Sequence, residues 1–102
     1  MAIYIIAEFH IHTRAEYDKY DALFMDIFDQ YNGELLSVDE SPTVLEGEWT
    51  STRSVLITFP SKADAMAWMT SPEYMEIAKH RLAGSTGRVR LVEGGFPGAA
   101  AS

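Results

Sequence analysis

Two spacings of hydrophobic residues alternate along this chain and divide it into strands and helices. Apolar positions two apart, typical of a strand, and positions three or four apart, typical of a helix, each recur in separate stretches. The predicted strands are 3–12, 34–38 with pairing resumed near 44–48, 53–59 and 88–94. The predicted helices are 13–31 and 61–84, the second interrupted near residue 71. This order predicts an α+β, ferredoxin-like βαββαβ sandwich, a four-stranded antiparallel sheet with both helices on one face.

Local sequence signals set the ends of the predicted helices. In chain order they are Thr13 with Glu16, Asn32-Gly33, Ser61 with Asp64, Ser71-Pro72 and Gly84. The first and third are capping-box patterns, in which two side chains satisfy free backbone amides. The Ser-Pro pair supplies a cap and a proline at the first helical position. The glycines are expected to end their helices, because glycine accepts the left-handed conformation common there.

The two faces of the predicted sheet differ in polarity. In the first strand, every second residue from Ile3 to Ile11 is apolar and should pack under the helices. The other face is mixed; its members are Tyr4, Ile6, Glu8, His10, Leu56, Thr58, Arg90 and Val92. An apolar patch of this size marks an interface or a ligand groove. We therefore expect a second copy of the chain to cover it, which gives a homodimeric α+β barrel with a small cavity.

Composition narrows the class of protein. The 102 residues predict one domain at 1–95, followed by a flexible C-terminal tail at 96–102. No cysteine is present, which excludes disulfides and thiol chemistry and is compatible with the cytoplasm, where we place the protein. The net charge of -7, without a basic stripe, argues against nucleic-acid binding. The sequence shows no basic leader, so we expect no signal peptide. It also has no apolar run of about 18 residues, so we expect no membrane span.

Short motifs spread from about Ile3 to Gly94 resemble those of one known family. They are Tyr17, Tyr20, Tyr31-Asn32-Gly33, Leu45-Glu46-Gly47, Trp49, Arg53, Phe59-Pro60-Ser61, Ala65, Trp68, Ser71-Pro72-Glu73-Tyr74, Arg81 and Glu93-Gly94. With these the chain resembles the domain-of-unknown-function family 1330, within the dimeric α+β barrel superfamily. The resemblance implies the same fold and dimerisation. The wider superfamily includes cofactor-independent monooxygenases, haem-degrading enzymes, lactone isomerases and ligand-sensing modules, so the resemblance does not choose an activity.

Three groups of residues are candidates for chemistry. Glu46 and Arg53 flank a predicted hairpin turn; they either form a cross-strand ion pair, or Arg53 binds an anionic substrate while Glu46 transfers a proton. Tyr74 and Arg81 share a helix face and either stabilise the helix or reach a cavity. His10 and His12 point to the same side of a strand, where two imidazoles can share a metal, but no third ligand is evident and we predict no metal site.

An aromatic-rich set beneath the sheet is expected either to fill the core or to line a pocket for a planar ligand. Its members are Tyr17, Tyr20, Phe24, Trp68 and Met69. Together these observations predict a homodimer that binds a small, partly apolar organic molecule. If the protein is an enzyme, we expect it to catalyse proton transfer or oxygenation without a cofactor. Glu46, Arg53 and His10 would then be the catalytic residues. Tyr74, Arg81, Tyr17 and Trp68 would bind the ligand. The alternatives are a sensor module without catalysis and a structural dimer.

Overall fold

A computed structural model describes residues 2–95 of the chain, and the predicted tail at 96–102 lies outside the described residues. The elements are β1 (Ile3–Ile11), α1 (Arg14–Phe28), β2 (Glu34–Asp39), β3 (Arg53–Phe59), α2 (Lys62–Met69), α3 (Pro72–Gly84) and β4 (Ser85–Glu93). No helix within this range is long and apolar enough to cross a membrane.

The four strands form one antiparallel sheet in the order β2-β3-β1-β4. This is the topology of the ferredoxin-like βαββαβ unit, so the predicted α+β fold is confirmed. The alternation in β1 is as expected, because Ile3, Ile5, Ala7 and Phe9 are all buried. These residues belong to a single core cluster with the buried side chains of the three helices. The helices therefore cover one face of the sheet.

Two of the three predicted N-terminal caps form. The Ser61 hydroxyl accepts from the backbone amide of Asp64 at 3.1 Å, and the Ser71 hydroxyl accepts from that of Tyr74 at 3.2 Å. The capping box predicted at Thr13 is wrong, because the Thr13 side chain makes no cap hydrogen bond. Its carbonyl oxygen accepts from the Glu16 and Tyr17 amides instead, while the Glu16 carboxylate bonds elsewhere.

Of the two glycines expected to end helices, Gly84 does so and Gly33 does not. Helix α3 ends at Gly84, whereas α1 ends at Phe28, before Gly33, and neither glycine has the positive φ expected at such an end. A Cβ on Gly33 would lie 2.6 Å from Cζ of Phe28, and one on Gly84 would lie 2.6 Å from the backbone nitrogen of Tyr17. Both positions therefore require glycine because neighbouring atoms are too close for a side chain.

The strand pairing predicted near residues 44–48 is wrong. Pairing between β2 and β3 ends at Asp39 with Ser54, and residues 40–52 form a connection without strand structure. Gly47, with φ of 82°, bends the chain, and the Trp49 indole donates to the Glu46 carbonyl at 2.9 Å. Such a compact turn prevents the extended backbone that a strand needs, and it leaves Leu45 92% exposed.

The second face of the sheet has the composition expected from the sequence. Register places Tyr4 opposite Thr58 and Val92, and Ile6 opposite Leu56 and Arg90. Tyr4, Ile6, Leu56 and Val92 are only partly buried, and no described helix packs on this side. We call this surface, made of the eight residues predicted above for the mixed face, the open face.

Candidate ligand-binding site

A cavity of about 90 Å³ lies between the helices and the sheet. Its floor includes Ile5, Ala7 and Ile57 from the two central strands. Helix α1 contributes Tyr17, Tyr20 and Phe24, and the second helical segment contributes Trp68, Met69 and Tyr74. Asp21, Met25, Val38 and Val89 line the cavity and are themselves exposed, so it is accessible from solvent. The aromatic set predicted as core or pocket therefore serves as both.

Arg53 is the one charged side chain in the described cavity wall that is almost fully buried, at 7% exposure. Its Nη2 atom donates to the Asp21 carboxylate at 2.9 Å, and its Nη1 atom lies 3.5 Å from Glu40. The guanidinium also lies over the ring of Tyr17, 5.3 Å from its centroid. A cation out of water needs such partners, and two carboxylates here neutralise its charge.

Glu40 connects the loop that follows β2 to both Arg53 and α1. Arg14 in the first turn of α1 donates to both oxygens of Glu40, one of these bonds being 3.1 Å long. The hydrogen bond from Arg14 lowers the pKa of Glu40 below its ordinary value. Glu40 therefore remains charged well into the acidic range and keeps its contact with Arg53.

Two buried phenols meet at the cavity wall. The hydroxyl oxygens of Tyr20 and Tyr74 are 3.0 Å apart and form a hydrogen bond. Burial raises the pKa of Tyr20 well above its ordinary value and raises that of Tyr17 to about 12. Desolvation disfavours the phenolate in both cases. At neutral pH these groups are therefore protonated, and they can donate hydrogen bonds.

Trp68 is the largest of the almost fully buried side chains of the site. It is 2% exposed, and its ring lies 4.4 Å from that of Tyr74, measured between centroids. The Nε1 atom of Trp68 is buried and has no hydrogen-bond partner among the described residues, and the same is true of Nε of Arg53. Buried donors without partners are rare in proteins, and each one needs an explanation.

Arg81 lies next to this wall and is absent from the cavity lining. Its guanidinium is 5.3 Å from the Phe9 ring centroid and 5.9 Å from that of Tyr20. Neither Glu73 nor Glu93 forms an ion pair with it in the described chain. Cation–π contacts hold this side chain against the rings that form the site.

The structure places the remaining predicted residues elsewhere. Glu46 lies in the connection between β2 and β3 and lines a separate cleft, so the predicted cross-hairpin pair with Arg53 does not form. The error follows from the absent strand at 44–48. His10 is exposed on the open face, where Nδ1 lies 2.7 Å from the Thr50 carbonyl oxygen. His12 lies 2.9 Å from Thr13 through Nδ1, and no cluster of three metal-ligating side chains occurs in residues 2–95.

Sequence reasoning missed two carboxylates of the site. Neither Asp21 nor Glu40 is among the candidate residues that the sequence analysis identifies. The available signal for Asp21 is its position four residues after Tyr17, which places both on the same side of the helix. Glu40 gives no such signal, because its contacts join residues 13 and 26 positions away.

The sequence matches the family described as "Domain of unknown function (DUF1330)" over residues 2–95. The chain belongs to this family. The resemblance inferred from the sequence is thereby confirmed, and the match covers every residue of the cavity wall. No curated protein matches the chain in sequence.

Several solved structures share the fold of this family member. RPA0582, a protein of unknown function from Rhodopseudomonas palustris, is 17% identical over 94% of this chain and 84% of its own, with a TM-score of 0.80. SnoaB, a cofactor-independent oxygenase from Streptomyces nogalater, is 17% identical over 97% and 98%, with a TM-score of 0.65. A dimeric ferredoxin-like protein of unknown function from Jannaschia is 17% identical over 91% and 99%, with a TM-score of 0.67. At these identities the likeness shows the fold alone.

Proposed function

We propose that this member of family 1330 binds a small, partly apolar organic molecule in the cavity between α1 and the sheet. The observation that carries the proposal is the cavity itself, bounded by aromatic rings in a core that is otherwise closely packed. Protein interiors leave few voids larger than a water molecule, and ligand pockets are mostly apolar with a few polar groups. Arg53, Trp68 and the Tyr20–Tyr74 pair supply such groups here.

The size of the cavity suits the entry of one small ring after a modest adjustment. A water molecule needs roughly 10–15 Å³ on the same kind of measure, whereas an engineered apolar cavity of about 150 Å³ holds benzene. The 90 Å³ cavity falls between these values. Met25 and Met69 form part of its wall, and methionine side chains readily change shape to suit a ligand.

Catalysis in this cavity would proceed without a cofactor, by proton transfer or oxygenation. The described groups that support it are the phenols of Tyr20 and Tyr74 and the carboxylate of Asp21. SnoaB performs cofactor-independent oxygenation on the same fold. A sensor module that binds the ligand and releases it unchanged is the alternative, and turnover separates the two. A purely structural dimer has less support, because a filled interior would serve it better.

We further propose that the protein is a homodimer in which two open faces meet. Tyr4, Ile6, Leu56 and Val92 form an apolar centre on that surface, and no helix of the described chain covers it. Sheets that pack face to face bury such residues about 10 Å apart. The Jannaschia protein, of similar fold, is dimeric.

The ligand proposal is tested by nuclear magnetic resonance, which suits a chain of 11.4 kDa. Titration with toluene should shift the amide signals of Ala7 and the indole N–H signal of Trp68. The indole of Trp49 is an internal control, because it donates to Glu46 in the loop, away from the cavity. A Trp49→Phe variant assigns the two indole signals.

A filled cavity should abolish this binding. Ala7→Leu adds side-chain volume inside the cavity and should weaken toluene binding at least tenfold, whereas Ala22→Leu, on the exposed side of α1, should leave it unchanged. Undiminished binding to folded Ala7→Leu protein, or equal shifts of both indole signals, would contradict the proposal.

A further inference from the structure

Two buried hydrogen-bond donors in the cavity wall have no partner in the described chain. They are Nε1 of Trp68 and Nε of Arg53, on side chains that are 2% and 7% exposed. Both residues line the cavity. A donor left unpaired in the interior loses its hydrogen bonds to water without replacement, so a ligand acceptor that reaches either nitrogen would be strongly favoured.

The acceptors of the same wall are already engaged. The Asp21 carboxylate accepts from Arg53, and the hydroxyls of Tyr20 and Tyr74 bond each other. In a pair of phenols only one hydrogen is used between them, so the other remains available as a further donor. The high pKa of both Tyr17 and Tyr20 keeps them protonated. Each of these acceptors already takes part in a hydrogen bond, whereas two buried donors of the site have no partner in the described chain.

The charges around the cavity favour a neutral ligand. Arg53 already faces the carboxylates of Asp21 and Glu40, which leaves it no net charge to offer an anion. Burying an unpaired carboxylate in an apolar wall is costly, because it loses its hydration without gaining a counter-ion. A carbonyl oxygen carries two lone pairs and no hydrogen, which matches a site of this kind.

We infer that the ligand is a neutral carbonyl compound on an aromatic or apolar body, whose oxygen accepts a hydrogen bond from Nε1 of Trp68, with Nε of Arg53 as a second donor. This inference rests on the proposed function and names the chemical class of its ligand. It makes the site selective against alcohols of the same shape. A hydroxyl group also accepts, but its own hydrogen must compete for phenol and carboxylate oxygens that already take part in hydrogen bonds.

Four probes of similar size separate these possibilities: acetophenone, 1-phenylethanol, ethylbenzene and benzoate. On the intact protein, acetophenone should move the Trp68 indole proton downfield, as a new hydrogen bond requires, whereas ethylbenzene should perturb the cavity amides without that downfield shift. The Trp49 indole should not respond to either. Acetophenone should also bind more tightly than 1-phenylethanol, by about three- to tenfold, the range expected for the net contribution of one hydrogen bond.

A Trp68→Phe variant supplies the quantitative test. Water solvates a ketone better than a hydrocarbon, so the decisive value is the ratio of the ethylbenzene Kd to the acetophenone Kd in each protein. This ratio should fall by about three- to tenfold in the variant, because only the ketone loses a hydrogen bond. The indole shift in the unmodified protein stands as evidence even where the variant fails to fold.

The outcomes distinguish this inference from the function on which it rests. If ethylbenzene and acetophenone both bind in the cavity, but the Trp68 indole proton does not shift and Trp68→Phe leaves the ratio of their Kd values unchanged, the inference is overturned. The proposed binding site would then still stand. Benzoate as the tightest probe would overturn it in favour of an anionic ligand. Failure of all four probes to bind would overturn both.

Discussion

The ion pair between Arg53 and Asp21 gives the sharpest test of how dry the cavity is. We predict that Asp21→Asn lowers the free energy of unfolding by about 1–2 kcal/mol. Removing one partner of a fully buried pair costs about 3–5 kcal/mol, because the other charge is left without compensation. Here the loss is smaller, since the Asp21 side chain is 42% exposed and Glu40 remains 3.5 Å from Arg53.

A double-mutant cycle isolates this interaction from the other effects of each substitution. Arg53→Met should cost only about 0–1 kcal/mol, because an apolar side chain of similar length often replaces a buried ion without loss. Asp21→Asn should then have almost no effect in the Arg53→Met protein. The coupling energy between the two positions should therefore be about 1–2 kcal/mol, well above the roughly 0.3–0.5 kcal/mol expected for independent sites.

Urea unfolding followed by circular dichroism measures all four proteins. Asp18→Asn is the matched control: it lies one turn earlier on α1 and pairs with Arg14 at 3.1 Å, with both side chains more than half exposed. Asp18→Asn should lower the free energy of unfolding by less than about 0.5 kcal/mol. An Asp21→Asn effect no larger than this, or a coupling energy near zero, would show that water screens Arg53 and would refute a buried ion pair at this site.

Three further predictions address the helices, the phenols and the open face. In urea unfolding, Gly84→Ala should destabilise the protein by about 1–3 kcal/mol, because the new Cβ would lie 2.6 Å from the Tyr17 backbone. Gly47→Ala in the loop should cost about 1 kcal/mol, because only its φ of 82° is unfavourable for alanine. Equal losses in the two variants would contradict this reasoning. Because burial raises the pKa of Tyr17 to about 12, its contribution to stability should be constant below about pH 10 and fall as the pH rises towards 12. Phenolate absorbance and circular dichroism follow this loss, and Tyr17→Phe should reduce it. Ile6→Lys on the open face should shift sedimentation from dimer to monomer at micromolar concentration without unfolding the chain, and a wild-type protein that sediments as a monomer would rule out the proposed dimer.

The fold could be predicted from the sequence because its signals are local. The strand alternation from Ile3 to Phe9, the caps at Ser61 and Ser71, and Pro72 each depend on a few neighbouring residues. The same locality explains two of the errors. The apolar residues near 44–48 have strand character, but the turn at Gly47 prevents extension. The Thr13 hydroxyl pairs with the adjacent His12 ring instead of the helix.

The candidate site could be predicted only in part. Tyr17, Trp68 and Tyr74 lie in the cavity wall because helical spacing places buried aromatic residues on the side that faces the sheet. Arg53 also lies there, but its partners could not be inferred, since Asp21 is 32 positions away and looks like an ordinary surface carboxylate in the sequence. Contacts between residues so far apart depend on how the elements dock, which no local pattern encodes.

The polar contacts of the site explain why a cavity persists beneath so aromatic a core. Arg53 stands at the first position of β3, where an apolar residue would extend into the space under α1. Its guanidinium is drawn towards the carboxylates of Asp21 and Glu40, and the phenols of Tyr20 and Tyr74 are held together by their hydrogen bond. Side chains fixed by directional bonds cannot shift to fill the remaining volume, as aliphatic ones would. The same bonds occupy the Asp21 carboxylate and the two phenols, while Nε1 of Trp68 and Nε of Arg53 stay without partners in the described chain.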